Sequence, residues 1–197
     1  MTKLSLHLVM TIDGFIATED GDAAPGAQWD KEMQQSYLDD FTAAEGIVFG
    51  RKTYDAYYGH WSRVGNGELP ASTETEQAWT QRMVAMHKFV ISSTLQSPAP
   101  DTTVIGGDIT TEIRELKQRD AGDLLLICGP ELFTQLTAEK LIDEYILYIS
   151  PLALSNGGHL FHDVRGPIPI RVESTRQFTS GMTLHHYLPL PGDPSRE

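Results

Sequence analysis

The chain has 197 residues, 40% hydrophobic and 21% charged, with a formal net charge of −12. That length suits one domain with a core of its own. So acidic a surface repels phosphate backbones and anionic lipid, so no nucleic acid and no membrane is expected among the partners.

Residues 4–12 read as a buried strand ending at Asp13-Gly14, a turn signal. The first seven residues lack the long apolar run of a signal peptide, and no stretch approaches the roughly 18 apolar residues of a membrane span. With a single cysteine, Cys128, no intrachain disulfide can form. A soluble, cytoplasmic protein is the expectation. Residues 18–28, rich in Gly, Asp, Ala and Pro, read as a loop. A helix follows over 30–43, with Asp30 as its N-cap and Met33, Tyr37, Leu38 and Phe41 on one face.

Ile47-Val48-Phe49 is a short strand closed by Gly50, and Thr53 caps a short helix to Tyr58. The spacing then predicts a loop over 59–71, a helix over 73–86 and a strand over 88–92. Val104-Ile105 ends at Gly106-Gly107, before a helix over 108–119. Leu124–Ile127 is an apolar strand stopped by Gly129-Pro130. The next helix starts with that proline, whose missing N–H costs little in the first turn. A strand over 143–150 and a turn at 155–158 lead to a hairpin, 169–178 and 182–188, closing on Ser180-Gly181. The tail from 191 to 197 reads as frayed, leaving one domain over 1–190. Strands alternating with helices predict α/β layers around a mostly parallel sheet, and the closing hairpin makes the sheet mixed.

Ligands of such sheets bind outside the carboxyl ends of the strands. At Gly50-Arg51-Lys52-Thr53, glycine allows close backbone approach, and two cations and a hydroxyl stand at a helix start, where N–H groups and the dipole favour phosphate. The same run also reads as a solvated turn with a cap. Ser92-Ser93-Thr94 offers three hydroxyls to a ribose phosphate, or closes a turn through its own side chains. Ile127-Cys128-Gly129-Pro130-Glu131-Leu132 passes from strand to helix, which makes an anion site or an ordinary tight connection. The Asp13 carboxylate stands at the mouth of the site, unless Asp13-Gly14 is a plain turn. His159-x-x-His162 and His185-His186 have no ligand spacing for a metal, so none is expected.

In their order these pieces resemble a known family. Ile47–Tyr54, Lys88–Ser93 and Leu126–Phe133 are similar to dihydrofolate reductase. Met10–Ala17, Leu141–Leu147 and Ser150–Phe161 look like the riboflavin-pathway reductase branch, the RibD C-terminal domain. The resemblance implies a dihydrofolate reductase-like three-layer sandwich, an NADPH cofactor and a homodimer. It places Val9 and Ile16 beside the nicotinamide and Gly50, Arg51, Lys52 and Thr53 at the pyrophosphate. Arg51, Ser92 and Ser93 would read the 2′-phosphate. Ser92, Ser93 and Thr94 would line the adenosine end with Gly107 nearby, and Ile127, Gly129, Pro130, Glu131 and Leu132 would close the pyrophosphate from the other side. Asp13 is the first candidate for supplying a proton. Two positions depart from dihydrofolate reductase: Gln34 stands where the helix carboxylate is expected, and Cys128-Gly129 replaces a glycine pair. The expected activity is hydride transfer from NADPH to a C=N or C=O carbon of a small substrate, pterin- or ribosylamino-pyrimidine-like. The alternative is a nucleotide-binding module of the same fold without catalysis.

Overall fold

The computed structural model describes residues 1–96, 98–119 and 122–190, and the expected frayed tail at 191–197 lies outside them. The chain opens with β1 (Leu4–Thr11), β2 (Phe15–Ala17), α1 (Lys31–Ala43) and β3 (Gly46–Gly50). A helical run follows: α2 (Arg51–Thr53), a π-helical segment (Tyr54–Tyr58) and α3 (Gly59–Gly65). Next come α4 (Glu74–Ala85), β4 (His87–Ile91), β5 (Thr102–Ile105), α5 (Ile109–Gln118), β6 (Leu124–Ile127) and α6 (Pro130–Ala138). The last elements are β7 (Glu144–Ser150), β8 (Gly158–His159), β9 (Ile170–Gln177) and β10 (Thr183–Pro189).

Eight strands form one sheet in the order β5-β4-β3-β6-β1-β7-β10-β9. β1 lies between β6 and β7, parallel to both, with Leu6 opposite Leu126 and Tyr145. β3, β4 and β5 continue the parallel set. Among the described strands of this sheet only β10 is reversed in direction, antiparallel to both β7 and β9. A parallel strand covered on both faces reads as an unbroken apolar run, which is why all four residues of β6 are buried.

Side chains of a strand alternate between the faces of the sheet. His7 meets Tyr37 and Phe41 of α1 edge-on at 4.7 and 5.5 Å, so the odd-numbered residues of β1 face α1. On that side Trp79 of α4 joins the layer, 5.6 Å from Phe41 and 4.8 Å from Trp61 of α3. On the other side Tyr145, level with Leu6, meets Phe133 of α6 at 6.4 Å. Arg114 of α5 pairs there with Glu139 just past α6, at 2.8 Å. Helices thus cover both faces of a mixed, mostly parallel sheet. The architecture is the dihydrofolate reductase-like three-layer sandwich.

The helix starts follow local chemistry. Asp30 accepts from the Met33 N–H at 2.8 Å and caps α1, satisfying one of the orphan donors of its first turn. Thr73 does the same for α4, and Glu76 returns to the Ser72 N–H, a reciprocal clamp. Two expectations are corrected between 50 and 73. Gly50, not Thr53, is the residue that precedes the helix, and helical structure runs on to Gly65 instead of giving way to a loop at 59. The cause is tertiary. Tyr54, Tyr57 and Trp61 lay an aromatic stripe against Phe49 and Trp79, and that burial outweighs the poor helix propensity of the two glycines. Gly65 is the contact point of α3 with α4, since a Cβ there would stand 2.6 Å from the Thr80 carbonyl oxygen.

Candidate active site

The parallel register sets the carboxyl ends of β3 and β6 side by side, with Phe49 opposite Ile127. The chain leaves each strand through a glycine and turns at once into a helix, α2 after Gly50 and α6 after Gly129. The two turns face each other across a cleft of about 1070 Å³. Of the residues expected at the pyrophosphate, Gly50, Arg51, Lys52 and Thr53 line one wall, and Gly129, Pro130, Glu131 and Leu132 the wall opposite. Ile91 and Ile109 close the end nearest β4 and β5, and Phe15, Asn156, His159 and Phe161 close the end nearest β1.

The remaining expected residues lie around this cleft rather than in its lining. Val9 and Ile127 are buried in the core, and Ile16 is half-buried in β2. The Ser92 hydroxyl is turned inward and accepts from the N–H groups of Thr94 and Leu95 at 3.1 and 3.0 Å. This is the self-closing turn that the sequence offered as one reading. Ser93 and Thr94 are exposed, and the Gly107 N–H donates to Glu112 Oε1 at 2.8 Å.

The positive charges of the cleft are already met. Arg51 Nε donates to Asp55 Oδ2 at 2.7 Å, one helical turn on. Lys52 Nζ faces Glu131 Oε1 across the mouth at 3.7 Å, both side chains almost fully exposed. Exposed pairs of this kind are worth about 0–1 kcal/mol, so either cation exchanges its carboxylate for a phosphate at little cost.

Asp13 stands at the end of β1, but its carboxylate is engaged. It accepts from the Thr11 hydroxyl at 2.5 Å and from the N–H groups of Leu154 and Ser155 at 3.0 and 2.9 Å. The Thr11 hydrogen bond first, and then the two backbone donors, lower its pKa from 3.8 to about 2. At neutral pH the group is an ionised acceptor that ties the end of β1 to the 152–155 loop. Gln34 is likewise committed. It is 2% exposed, donates to the Trp29 carbonyl at 3.0 Å and accepts from the Thr73 hydroxyl, joining α1 to the cap of α4. Cys128 is buried, and burial pushes its thiol well above the ordinary value, so it behaves as a small apolar side chain. Among the described residues no group of three or more His, Cys, Asp or Glu side chains could hold a metal, and no helix is long and apolar enough to cross a membrane.

One wall was not found in the sequence. β8 pairs with β2, setting His159 opposite Phe15, and carries Asn156, Gly157, His159 and Phe161 to the cleft. The signal was the Gly157-Gly158 pair directly before a histidine, which marks close backbone approach.

With this geometry in place, comparison with known proteins is informative. The RibD C-terminal domain matches residues 2–184. The chain belongs to the RibD C-terminal domain family. A relative, the uncharacterized protein YyaP of Bacillus subtilis (strain 168), is 30% identical over 184 residues, 91% of each chain. Solved structures at lower identity share the fold. A deaminase and 5-amino-6-(5-phosphoribosylamino)uracil reductase of Thermotoga maritima superposes with TM-score 0.67 at 16% identity, over 96% of this chain and 57% of its own. Dihydrofolate reductase of Enterococcus faecalis, solved with NADP(H), superposes with TM-score 0.60 at 14% identity, over 95% and 96% of the two chains. Within the RibD C-terminal domain family, the cleft between the Gly50 and Gly129 turns is thus the first candidate for the active site.

Proposed function

We propose that this protein is an NADPH-dependent reductase that transfers hydride to a C=N or C=O carbon of a small substrate, pterin- or ribosylamino-pyrimidine-like. The observation that carries the reading is the pair of strand-to-helix turns, Gly50–Thr53 and Gly129–Leu132, facing each other across one cleft. Family membership and the reductases of the same fold support an oxidoreductase. The cleft fits the cofactor. A Cβ built on Gly129 meets no protein atom within 4 Å, so the room a side chain would take is left to a ligand. Backbone N–H groups of the first turn of α6 and the cations of Arg51 and Lys52 suit a diphosphate.

When bound, the reduced nicotinamide supplies the hydride. The chain's own task is to position it: the two turns would hold the pyrophosphate, and Arg51, released from Asp55, the 2′-phosphate. The proton would come from water, from the substrate or through Asp13, whose carboxylate is ionised at neutral pH and would first have to be protonated; the Gln34 amide is no acid. The commitment of Asp13 and Gln34 to hydrogen bonds within the fold also favours the second reading, a binding module without turnover.

Calorimetric titration with NADPH and NADH tests the cofactor. A charge-assisted hydrogen bond contributes about 1.5–3 kcal/mol, so NADPH should bind about tenfold or more tightly than NADH, with Arg51→Ala removing most of the difference. Equal affinities overturn the assignment. Absorbance at 340 nm across a substrate panel separates the reductase from the module. The proposal includes a homodimer. Strand β9 is exposed along its whole length at the sheet edge, with Val172 58% exposed, and light scattering at micromolar concentration checks the state.

A further inference from the structure

We propose that His159 is a ligand-binding residue of the cleft, whose imidazole donates its Nε2–H to an oxygen on the nicotinamide half of the bound dinucleotide. The inference rests on the cofactor reading above. The ring lines the cleft next to Phe15, at the end nearest β1 and away from Ile91 and Ile109. Its orientation is fixed from several sides. β8 pairs His159 with Phe15, and the Leu160 N–H donates to the Gly14 carbonyl at 2.9 Å. The imidazole stands edge-on to the Phe15 ring at 5.0 Å.

The tautomer is fixed as well. The Phe161 N–H donates to His159 Nδ1 at 3.2 Å. A nitrogen that accepts a hydrogen bond holds no proton, so the neutral ring carries its proton on Nε2. That N–H has no protein partner among the described residues. It lies over Gly14, where an added Cβ would be only 2.9 Å from Nε2. A side chain at position 14 would therefore displace the donor. A donor with fixed tautomer, fixed orientation and no internal partner is equipped to bind a ligand acceptor.

The test uses NADPH and 2′,5′-ADP, the adenosine half that keeps the 2′-phosphate and lacks the nicotinamide. His159→Leu should weaken NADPH about fivefold to tenfold, the loss of one neutral hydrogen bond, and leave 2′,5′-ADP unchanged. His159→Gln, which keeps an N–H at similar reach, should restore most of the NADPH affinity. In ¹⁵N spectra of the free protein, His159 should show an unprotonated Nδ1 and a protonated Nε2. The Nε2–H resonance should move on adding NADPH and stay in place with 2′,5′-ADP. Unchanged NADPH affinity in His159→Leu overturns the inference while leaving the cofactor reading intact. An equal loss for both ligands also overturns it, because the contact would then lie on the shared half. If wild-type protein binds neither ligand, the cofactor reading itself fails and this inference with it.

Discussion

Replacing Gln34 by glutamate gives the sharpest test of how the first helix is built. The change keeps the shape of the side chain and turns a neutral amide into a titrating acid. Gln34 is 2% exposed and serves two partners, donating to the Trp29 carbonyl and accepting from the Thr73 hydroxyl. An ionised carboxylate still accepts from Thr73 but leaves the Trp29 carbonyl facing a negative charge in a dry place. A protonated carboxyl satisfies both, so the folded state should hold the proton and its carboxyl pKa should rise. The unfolded chain releases that proton near pH 4.3. Above that value the unfolded state binds fewer protons than the folded one, so stability falls as pH rises. Each pH unit costs about 1.4 kcal/mol, which gives about 1 kcal/mol at pH 5 and up to about 3.7 kcal/mol at pH 7. Urea unfolding followed by tryptophan fluorescence at the two pH values reads the difference, since Trp29 and Trp79 lie beside the site. If Gln34→Glu stays within about 0.5 kcal/mol of wild type at both pH values, the position is wet and the reasoning fails. The same packing bears on activity. With an amide locked in this place, dihydrofolate turnover should be at least about a hundredfold slower than in a dedicated enzyme, as steady-state kinetics at pH 6–7.5 will check.

Gly14→Ala should destabilise the fold by at least about 1–2 kcal/mol, because φ is +86° there and the new Cβ meets His159; a thermal midpoint equal to wild type would contradict this. Asp13→Asn should loosen the 152–155 loop, seen as faster amide exchange at Leu154 and Ser155, whose N–H groups the carboxylate accepts. Unchanged protection at both amides would remove the anchoring role. Glu144 and His186 form a half-buried pair at 3.3 Å in which each favours the charge of its partner, lowering the carboxyl below 4.5 and raising the imidazole above 6.5. The carboxylate's contribution is present above pH 4.5 and lost as pH falls through its lowered value. The imidazolium's is present below pH 6.5 and lost as pH rises through its raised value. The pair therefore stabilises most between those limits, and His186→Gln should flatten the stability profile on the alkaline side, measured by unfolding from pH 4 to 9.

Much of the fold was legible because its signals are local. An unbroken apolar run such as Leu124–Ile127 marks a strand covered on both faces, and Asp30 and Pro130 mark helix starts through groups within one turn of themselves. The Gly50 and Gly129 turns were legible for the same reason, since glycine between strand and helix leaves a mark in one short window. Other features depend on partners far along the chain. Helix α3 exists because Trp61 finds Trp79, whereas the local sequence over 59–71 predicts a loop. The roles of Asp13 and Gln34 were decided by Leu154, Ser155 and Thr73, which no spacing brings near them. Spacing alone shows only that His159 and His162 form no metal site, and it is β8 that lays His159 against Phe15 and Gly14. A side chain's type is written in the sequence, but the partners that decide its charge, tautomer and direction arrive only when distant segments pack.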